Sequence, residues 1–288
     1  MTPAAQRLKE VLAKPGLLVV PASWDALSAK LVGEAGYPMQ FMSGFAVALN
    51  RLGFPDTGMI SFAEMVDALR NITAASDVPV LADGDDGYGN ALNVQRTVSE
   101  YARAGAAAVL IEDKINPKPC GMAGEKPVIE RPEAIMKIKA AIEAGRKAGI
   151  LILARTDSRP TRGFEEALAR IKAFAELGAD MVFLDSPASA EEMRAYCAAV
   201  DKPCMANIMQ GDKLAIPRAE LARMGIKIAT HPFYAMNAGI AAARAALQAL
   251  KHDDLAGMPP AITSAELRTL AGYPEYRARE ARFAPKAE

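Results

Sequence analysis

The stretch PVLADGDDGYGNALNVQRTVSEYARAGAAAVLIE, Pro79 to Glu112, contains the repeating unit of this chain. An apolar run ends in Asp83, a helical stretch follows it to Gly105, and a second apolar run ends in Glu112. Short apolar runs that alternate with longer helical patterns are typical of parallel strands joined by helices. This stretch therefore predicts a βαβ unit in which each strand ends in a carboxylate.

The same alternation continues along nearly the whole chain. The runs expected as strands are Gly16 to Val20, Met39 to Ser43, Pro79 to Asp83, Ala107 to Glu112, Leu151 to Arg155, Met181 to Asp185, Pro203 to Asn207 and Ile226 to Thr230. Glycines just before the next run mark helix ends at Gly36, Gly105, Gly149, Gly178 and Gly225. Eight βα units in one domain length favour a closed (β/α)8 barrel over an open sheet. We expect this catalytic barrel over residues 1–255 and a helical C-terminal extension over residues 256–288, with a capped helix beginning at Thr263.

Polar residues follow the predicted strands in a regular way. From the second strand to the eighth, the last residues are Ser43, Asp83, Glu112, Arg155, Asp185, Asn207 and Thr230. One polar residue at a strand end is ordinary, because turns are polar. Barrels of this kind carry their chemistry at the carboxyl ends of the strands. Polar residues at seven successive strand ends, with both signs of charge, therefore predict one inward-facing site.

The acidic residues after the third and fourth strands suit a divalent cation. Asp83, Asp85 and Asp86 place three negative charges within four residues, which is unfavourable unless a cation or hydrogen-bond donors neutralise them. Asp-Gly runs are also ordinary turn formers, so a structural role stays open for this cluster alone. Asp83, Asp85 and Glu112 supply the oxygen ligands that Mg²⁺ or Mn²⁺ prefers.

The remaining strand-end residues predict a pocket for a small, multiply charged oxyacid. Arg155 offers a planar fork that can bind a carboxylate with two hydrogen bonds, and a structural salt bridge is its alternative role. Asn207 and Ser43, with the backbone amides of Gly44 and Phe45, can donate to a second carboxylate. For Asn207 the alternative is a strand-end turn.

Cys120 lies in a stretch, residues 114–127, whose prolines and glycines discourage both helix and strand. We expect a long loop there, of the kind that closes over a substrate and carries an acid or a nucleophile. Lys114, Lys118 and Lys126 would favour the thiolate, whereas substrate carboxylates and local acidic residues would oppose it, so the direction of the pKa shift stays open. An incidental loop thiol is the alternative for this cysteine.

Composition and charge argue against several function classes. The chain has 34 basic and 34 acidic residues, which gives no electrostatic sign of a nucleic-acid partner. No apolar run approaches the roughly 20 residues that span a bilayer, and residues 1–15 lack the apolar core of an export signal. Three cysteines without framework spacing and two histidines favour a reducing cytoplasm and an oxygen-ligated metal.

From about Pro21 to about Lys251, the chain resembles the isocitrate lyase and phosphoenolpyruvate mutase superfamily. The matching stretches are SGFAVALNRLGFPDTG (from Ser43), LADGDDGYGN (from Leu81), EDKINPKPCG (from Glu112), ARTDS (from Ala154), GADMVFLDS (from Gly178) and ANI (from Ala206). Each is weak alone, but together in this order and spacing they are specific. The resemblance implies a Mg²⁺ surrounded by Asp83, Asp85 and Glu112 and bound partly through water, and it places Asp56 close to the substrate and to the metal's waters.

The resemblance also implies a carbon–carbon lyase. In the lyases of the superfamily the loop cysteine, here Cys120 followed by Gly121, gives a proton to the nascent carbanion. The mutases carry an Asn-Ser type sequence there and tend to have His at the position of Asp185, so both positions favour the lyases, and among them those acting on 2,3-dimethylmalate or methylisocitrate. The usual loop reads Lys, Lys or Arg, Cys, Gly, His, and this chain departs from it at Pro119 and Met122.

The implied reaction is retro-aldol cleavage of a 2-hydroxy di- or tricarboxylate to pyruvate and a carboxylic acid. Glu112, Arg155 and Asp56 join Cys120 in the predicted catalytic set, and Glu112 acting through a water is the candidate base. An oxaloacetate decarboxylase or hydrolase is the alternative, because similar enediolate chemistry serves those reactions. A phosphonomutase-type enzyme and a non-catalytic binding protein are further alternatives. Superfamily members exchange their last barrel helix between subunits, so the resemblance also implies a homotetramer.

Overall fold

Eight parallel strands form a closed barrel in the computed structural model, which describes residues 1–118, 126–209 and 216–284. The strands are β1 (Leu18–Ser23), β2 (Gln40–Met42), β3 (Val80–Asp83), β4 (Ala108–Ile111), β5 (Leu151–Thr156), β6 (Met181–Leu184), β7 (Cys204–Asn207) and β8 (Ile226–His231). Each strand pairs with the next, and β8 pairs with β1. The predicted (β/α)8 fold is confirmed.

The observed strands lie within the predicted runs or close to them. The first differs most, because it begins at Leu18 and continues to Ser23. Gly16 has a φ of 88°, a left-handed conformation that a strand residue does not adopt. The five glycines predicted to end helices all have positive φ as well, which explains why glycine stands at these positions.

Helices surround the barrel. In the first of two compact units, Met1–Ala235, they are α1 (Pro3–Ala13), α2 (Ala26–Glu34), α3 (Gly44–Leu52), α4 (Phe62–Ala75), α5 (Ala91–Arg103), α6 (Arg131–Ala148), α7 (Arg159–Arg162), α8 (Phe164–Leu177), α9 (Ala190–Ala198) and α10 (Arg218–Met224). Leu8 of α1 packs into the cluster that fills the barrel, and the Thr2 N–H donates to the Gly149 carbonyl just ahead of β5. The helix α1 therefore covers the amino-terminal mouth of the barrel and leaves the opposite mouth to the site.

The second unit, Met236–Glu288, is helical. It contains most of α11 (Tyr234–Lys251) and all of α12 (Ser264–Leu270) and α13 (Tyr273–Phe283). Thr263 caps α12 with a reciprocal hydrogen-bond pair to Glu266, so the predicted capped helix is confirmed. The predicted domain boundary after residue 255 stays a prediction. No helix in the described part of the chain is long and apolar enough to cross a membrane.

Side chains along each strand alternate between the barrel interior and the helix layer. The interior cluster takes one or more side chains from every strand, including Val20, Phe41, Leu81, Leu110, Leu153, Phe183, Met205 and Ile228. The neighbouring strand residues, such as Ala82, Val109 and Val182, pack against the helices. Because the period is two, any residue two positions beyond an interior residue also faces the barrel axis.

Candidate active site

The seven polar residues predicted from the strand ends all stand two positions beyond an interior residue. They are Ser43, Asp83, Glu112, Arg155, Asp185, Asn207 and Thr230, which follow Phe41, Leu81, Leu110, Leu153, Phe183, Met205 and Ile228. Six of the seven are buried, and Asn207 is partly buried. The barrel thus collects them at its carboxyl-terminal mouth, where the sequence predicted one shared site.

A continuous ion-pair network crosses this mouth. Its members lie within 4.0 Å of an oppositely charged partner, and they are the cations Lys114, Lys118, Lys126 and Arg155 and the carboxylates Asp56, Asp85, Glu112, Asp157 and Asp185. Buried charges are ordinarily stabilised by pairing of this kind. The three lysines that the sequence suggested as neighbours of Cys120 are therefore engaged with carboxylates.

Arg155 is oriented by Asp157 through a two-bond fork. Its Nε and Nη2 donate to the two carboxylate oxygens, each at 2.7 Å, and its guanidinium lies 5.0 Å from the centre of the Phe183 ring. Burial alone would raise the pKa of Asp157, but Arg155 and Lys114 together lower that pKa well below its ordinary value. The salt bridge considered as the alternative for Arg155 is therefore present. The two bonds of the fork use Nε and Nη2 and not Nη1.

Asp157 and its support were not assigned a role from the sequence. Asp113 accepts from the Asp157 N–H at 2.8 Å and from the Thr156 hydroxyl at 2.6 Å. Arg170 of α8 pairs with Asp113 at 3.0 Å, and both side chains are almost fully buried. The strand period could have indicated Asp157, which lies two positions after Arg155.

Asp83 stands apart from the network because it has no cation partner among the described residues. Its two oxygens accept from backbone groups, the Gly44 N–H at 3.1 Å and the Asp85 N–H at 3.1 Å. Burial, followed by the neighbouring charge of Asp85, raises the pKa of Asp83 to about 7. This carboxylate is therefore the member of the site that most needs positive charge.

Lys118 occupies the centre of the remaining acidic cluster. Its Nζ contacts Asp85, lies 2.9 Å from Asp56 and lies 3.8 Å from Glu112. Burial alone would lower the pKa of this lysine, but Asp85 and Glu112 raise it well above its ordinary value, so it stays charged. Glu112 Oε1 is buried without a hydrogen-bond donor among the described residues. The Lys118 ammonium group thus lies at the point where the carboxylates of Asp56, Asp85 and Glu112 come together.

The three acidic residues of the DGDD run do not share one role. Asp86 pairs with Lys137 of α6 at 3.2 Å and accepts from the Asn116 amide at 3.0 Å. It is therefore neutralised within the protein, whereas Asp83 and Asp85 turn to the mouth. The structural role considered for the cluster describes Asp86, and a metal-binding role for Asp83 and Asp85 stays a prediction.

The residues predicted to bind substrate lie at the mouth but have partners of their own. The Ser43 hydroxyl caps α3 by accepting from the Ala46 N–H at 3.3 Å, and the Asn207 amide oxygen accepts from the Thr230 hydroxyl. Phe45 packs on Phe233 with 4.7 Å between ring centres. Asp185 pairs with Lys126. Cys120 and Gly121 lie outside the described residues.

The donor set fits a hard divalent cation. Asp83 is buried without a cation, and Glu112 Oε1 is buried without a donor. A cavity of about 20 Å³ borders Asp85 and Glu112, room for one water molecule. Within the described ranges, no group of three or more His, Cys, Asp or Glu side chains is placed to hold a metal ion as it stands. In general Mg²⁺ keeps several waters and takes few protein ligands.

The comparison with known proteins gives the family. The family described as phosphoenolpyruvate phosphomutase matches residues 8–251. The chain belongs to this family. It is 36% identical to 2,3-dimethylmalate lyase of Eubacterium barkeri over 97% of this chain and 98% of that protein. It is 36% identical to 2-methylisocitrate lyase of Aeropyrum pernix over 98% of this chain and 91% of that protein.

A solved structure of oxaloacetate acetylhydrolase with the inhibitor 3,3-difluorooxalacetate is also similar. It matches with a TM-score of 0.92 and 31% identity over 99% of this chain and 98% of that chain. Together these relatives confirm the superfamily expected from the sequence motifs. The chain is an enzyme, a carbon–carbon lyase of the isocitrate lyase and phosphoenolpyruvate mutase superfamily.

Proposed function

We propose that this enzyme cleaves a 2-hydroxy di- or tricarboxylate of the 2,3-dimethylmalate or methylisocitrate type to pyruvate and a carboxylic acid, with Mg²⁺ as cofactor. The observation that carries the proposal is the buried Asp83, which lacks a cation beside a mouth already crowded with carboxylates. With Asp83 the described mouth holds six carboxylates against four cations. One divalent cation would supply the two positive charges that the mouth lacks.

Asp83, Asp85 and Glu112 would hold the Mg²⁺, and Mn²⁺ would serve in its place. When bound, such an ion polarises the oxygens of a hydroxy acid and lowers the pKa of its hydroxyl group. The fit of the cation rests on the donor chemistry: these three side chains offer only oxygen, and Asp83 and Glu112 each have an unmet need for a positive partner or a donor.

The remaining groups of the mouth would bind and orient the substrate. Arg155 would grip a substrate carboxylate through Nη1, held in place by the Asp157 fork. Ser43, Asn207 and the Phe45 amide would serve a second carboxylate, and Asp185, Gly44 and Gly121 are the other residues that we propose for substrate binding. The Gly44 N–H is engaged by Asp83 at 3.1 Å, so it would bind substrate only by sharing that bond.

The chemistry would be a proton transfer at each side of one breaking bond. Glu112, through a water, would accept the proton of the 2-hydroxyl, and the electron pair of that O–H bond would become the keto group of pyruvate. The carbon–carbon bond breaks as this happens. Its electron pair passes to the other fragment, whose carbon would take the proton of the Cys120 thiol. Asp56, 2.9 Å from Lys118, would keep that ammonium near the developing charge.

A hydrolase or decarboxylase acting on oxaloacetate is the second candidate. The structural match to oxaloacetate acetylhydrolase, with a TM-score of 0.92, favours it. The lyase and the decarboxylase differ in the proton donor, because a decarboxylase does not need Cys120. Hydrolysis of oxaloacetate to oxalate and acetate, like the lyase reaction, leaves a fragment whose carbon must take a proton. The products separate all three reactions.

Product analysis separates the candidates. Purified enzyme with Mg²⁺ is offered 2,3-dimethylmalate, 2-methylisocitrate, isocitrate and oxaloacetate, and the products are identified by NMR. We expect pyruvate from one of the first two substrates with wild type and none with Cys120→Ala. Oxalate and acetate formed from oxaloacetate would instead establish the hydrolase. Pyruvate formed from oxaloacetate and from no other substrate, by wild type and by Cys120→Ala, would establish the decarboxylase. A Cys197→Ala variant is the matched control, because that cysteine is a free thiol on α9.

We further propose that the enzyme works as a cytoplasmic homotetramer that exchanges its last barrel helix. The apolar helix α11 buries only Met236 and Ala249 within the single chain, while Leu247 and Leu250 are more than half exposed. Such a face gains stability when another copy covers it. Sedimentation equilibrium should give about four times the chain mass of 30.6 kDa. A monomer would contradict the exchange.

A further inference from the structure

The turn after β3 holds a bulky residue in an unusual conformation. Tyr88 has a φ of 59°, in the left-handed region that large side chains rarely adopt, and Asp85 in the same turn has a φ of 49°. Strain of this kind persists where surrounding contacts enforce it, and it concentrates at functional sites. The contacts of Tyr88 therefore indicate what the strain serves.

Those contacts lead back to the acidic cluster. The Tyr88 hydroxyl donates to Asp85 Oδ2 at 2.8 Å, and its ring packs edge-on against Phe62 at 5.4 Å between centres. The Tyr101 hydroxyl lies 3.1 Å from the Tyr88 hydroxyl and 3.1 Å from the Asp83 carbonyl, and its single proton can be donated to one of them at a time. Two neighbouring hydroxyl groups thus lie between the backbone of one predicted metal ligand, Asp83, and the carboxylate of another, Asp85.

The hydrogen bond from Tyr88 determines which oxygen of Asp85 is left for a positively charged partner. Because Oδ2 is engaged by Tyr88, Oδ1 is the oxygen that meets the positive charge, and in this structure it contacts the Lys118 ammonium. Tyr101 is fully buried on α5, so it is a rigid support for Tyr88. Groups that hydrogen-bond to a metal ligand orient that ligand and set its affinity.

We infer that Tyr88 and Tyr101 are positioning residues that set the affinity of this site for a divalent cation. The inference rests on the proposed function, because it requires Asp83 and Asp85 to be metal ligands. Neither tyrosine is among the residues proposed to bind the substrate. Tyr88 acts through Asp85, and Tyr101 acts through Tyr88 and through the Asp83 backbone.

Mn²⁺ binding, followed by electron paramagnetic resonance on the full-length metal-free protein, tests the inference without any use of activity. Tyr88→Phe keeps the ring packing and removes the hydroxyl, so we expect a Kd for Mn²⁺ that is raised about 10- to 100-fold. Tyr101→Phe should raise the Kd by a smaller factor. The double variant should lose less than the product of the two factors, since both act on the same ligands.

Tyr196→Phe is the matched control. That tyrosine is also buried, and its hydroxyl donates to the Val182 carbonyl of β6 at 2.6 Å, away from the acidic cluster. We expect it to lower the thermal midpoint without changing the Kd for Mn²⁺. Near-ultraviolet circular dichroism checks that each variant folds, and Tyr101→Phe carries the test if Tyr88→Phe does not.

The outcomes are distinct. A Kd for Mn²⁺ that Tyr88→Phe and Tyr101→Phe leave unchanged, while wild type binds, overturns the inference and leaves the proposed function standing. An equal weakening by all three variants also overturns it, because the effect would be general loosening. Wild type that binds no Mn²⁺ removes the metal itself, and with it both the proposed function and the inference.

Discussion

Replacing Gly44 with alanine should lower the catalytic activity of the site without lowering the stability of the fold. Gly44 is the first residue of α3, and an added Cβ would lie 2.9 Å from Asp83 Oδ2 and 3.3 Å from Asp83 Cγ. Ordinary contact begins near 3.4 Å, so the carboxylate must retreat by about 0.5 Å. A misplacement of about 1 Å can cost about 100-fold in rate, so half of it should lower kcat/KM by about tenfold.

The same substitution should leave the fold intact or make it more stable. Alanine in a helix is favoured over glycine by up to about 1 kcal/mol, and the conformation of Gly44 is helical, with no positive φ. The thermal midpoint should therefore stay or rise while kcat/KM and Mn²⁺ affinity fall. A general packing defect would instead lower the thermal midpoint together with kcat/KM.

Gly33→Ala in α2 is the matched control. Its added Cβ would meet only the Ser76 hydroxyl at 3.3 Å and the Val78 side chain at 3.8 Å, and the hydroxyl can rotate. We expect the same gain in helix stability with unchanged activity. Scanning calorimetry and pyruvate release give the two readouts. Wild-type kcat/KM in Gly44→Ala would refute the claim that the close approach of this backbone holds Asp83 in place.

Three further predictions concern the buried charges. Burial and Asp85 raise the pKa of Asp83 to about 7, so a metal ion must displace a proton from this carboxyl group at lower pH. The Kd for Mn²⁺ should therefore rise about tenfold for each pH unit below about pH 7. Titrations from about pH 5.5 to about pH 8 check this, and a Kd that does not change with pH would contradict it. Between the ordinary value of 3.8 and this raised value the folded state binds more protons than the unfolded state, so the metal-free protein should lose stability as pH rises through that window, and saturating Mg²⁺ should remove the loss. Arg170→Met leaves Asp113 buried without its cation and should cost about 3–5 kcal/mol of unfolding free energy in urea denaturation. Adding Asp113→Asn should recover part of that loss, and a double variant as unstable as the sum of the singles would show that the two residues do not act as a pair.

The fold could be predicted because its signals are local. Each strand is a short apolar run, the glycines that end helices have the positive φ that glycine supplies, and the barrel follows from the number of units. The inward direction of Asp83, Glu112 and Arg155 follows from the strand period alone. These arguments need no knowledge of distant contacts.

The cations that pair with Asp85 and Asp86 could not be predicted, because they come from far along the chain. Lys118 reaches Asp85 from 33 residues away, and Lys137 reaches Asp86 from 51 residues away. Arg170 and Lys137 occupy helix positions where a charged residue ordinarily faces water, yet both are buried. From the sequence pattern alone such residues are assigned to the surface, because their acidic partners come close to them only in the folded protein.

The position of Lys118 helps the fold to tolerate several carboxylates at the barrel mouth. One ammonium group neutralises Asp85 and lies close to Asp56 and Glu112, but it cannot balance Asp83 as well. That carboxylate is buried, so its charge is costly, and burial together with the neighbouring Asp85 raises its pKa to about 7. A divalent cation held by Asp83 would favour the ionised carboxylate and bring a second positive charge near Lys118, whose attraction to Asp85 would then weaken. The lysine would thereby become available to an incoming carboxylate, which gives a physical reason for metal and substrate to bind in that order.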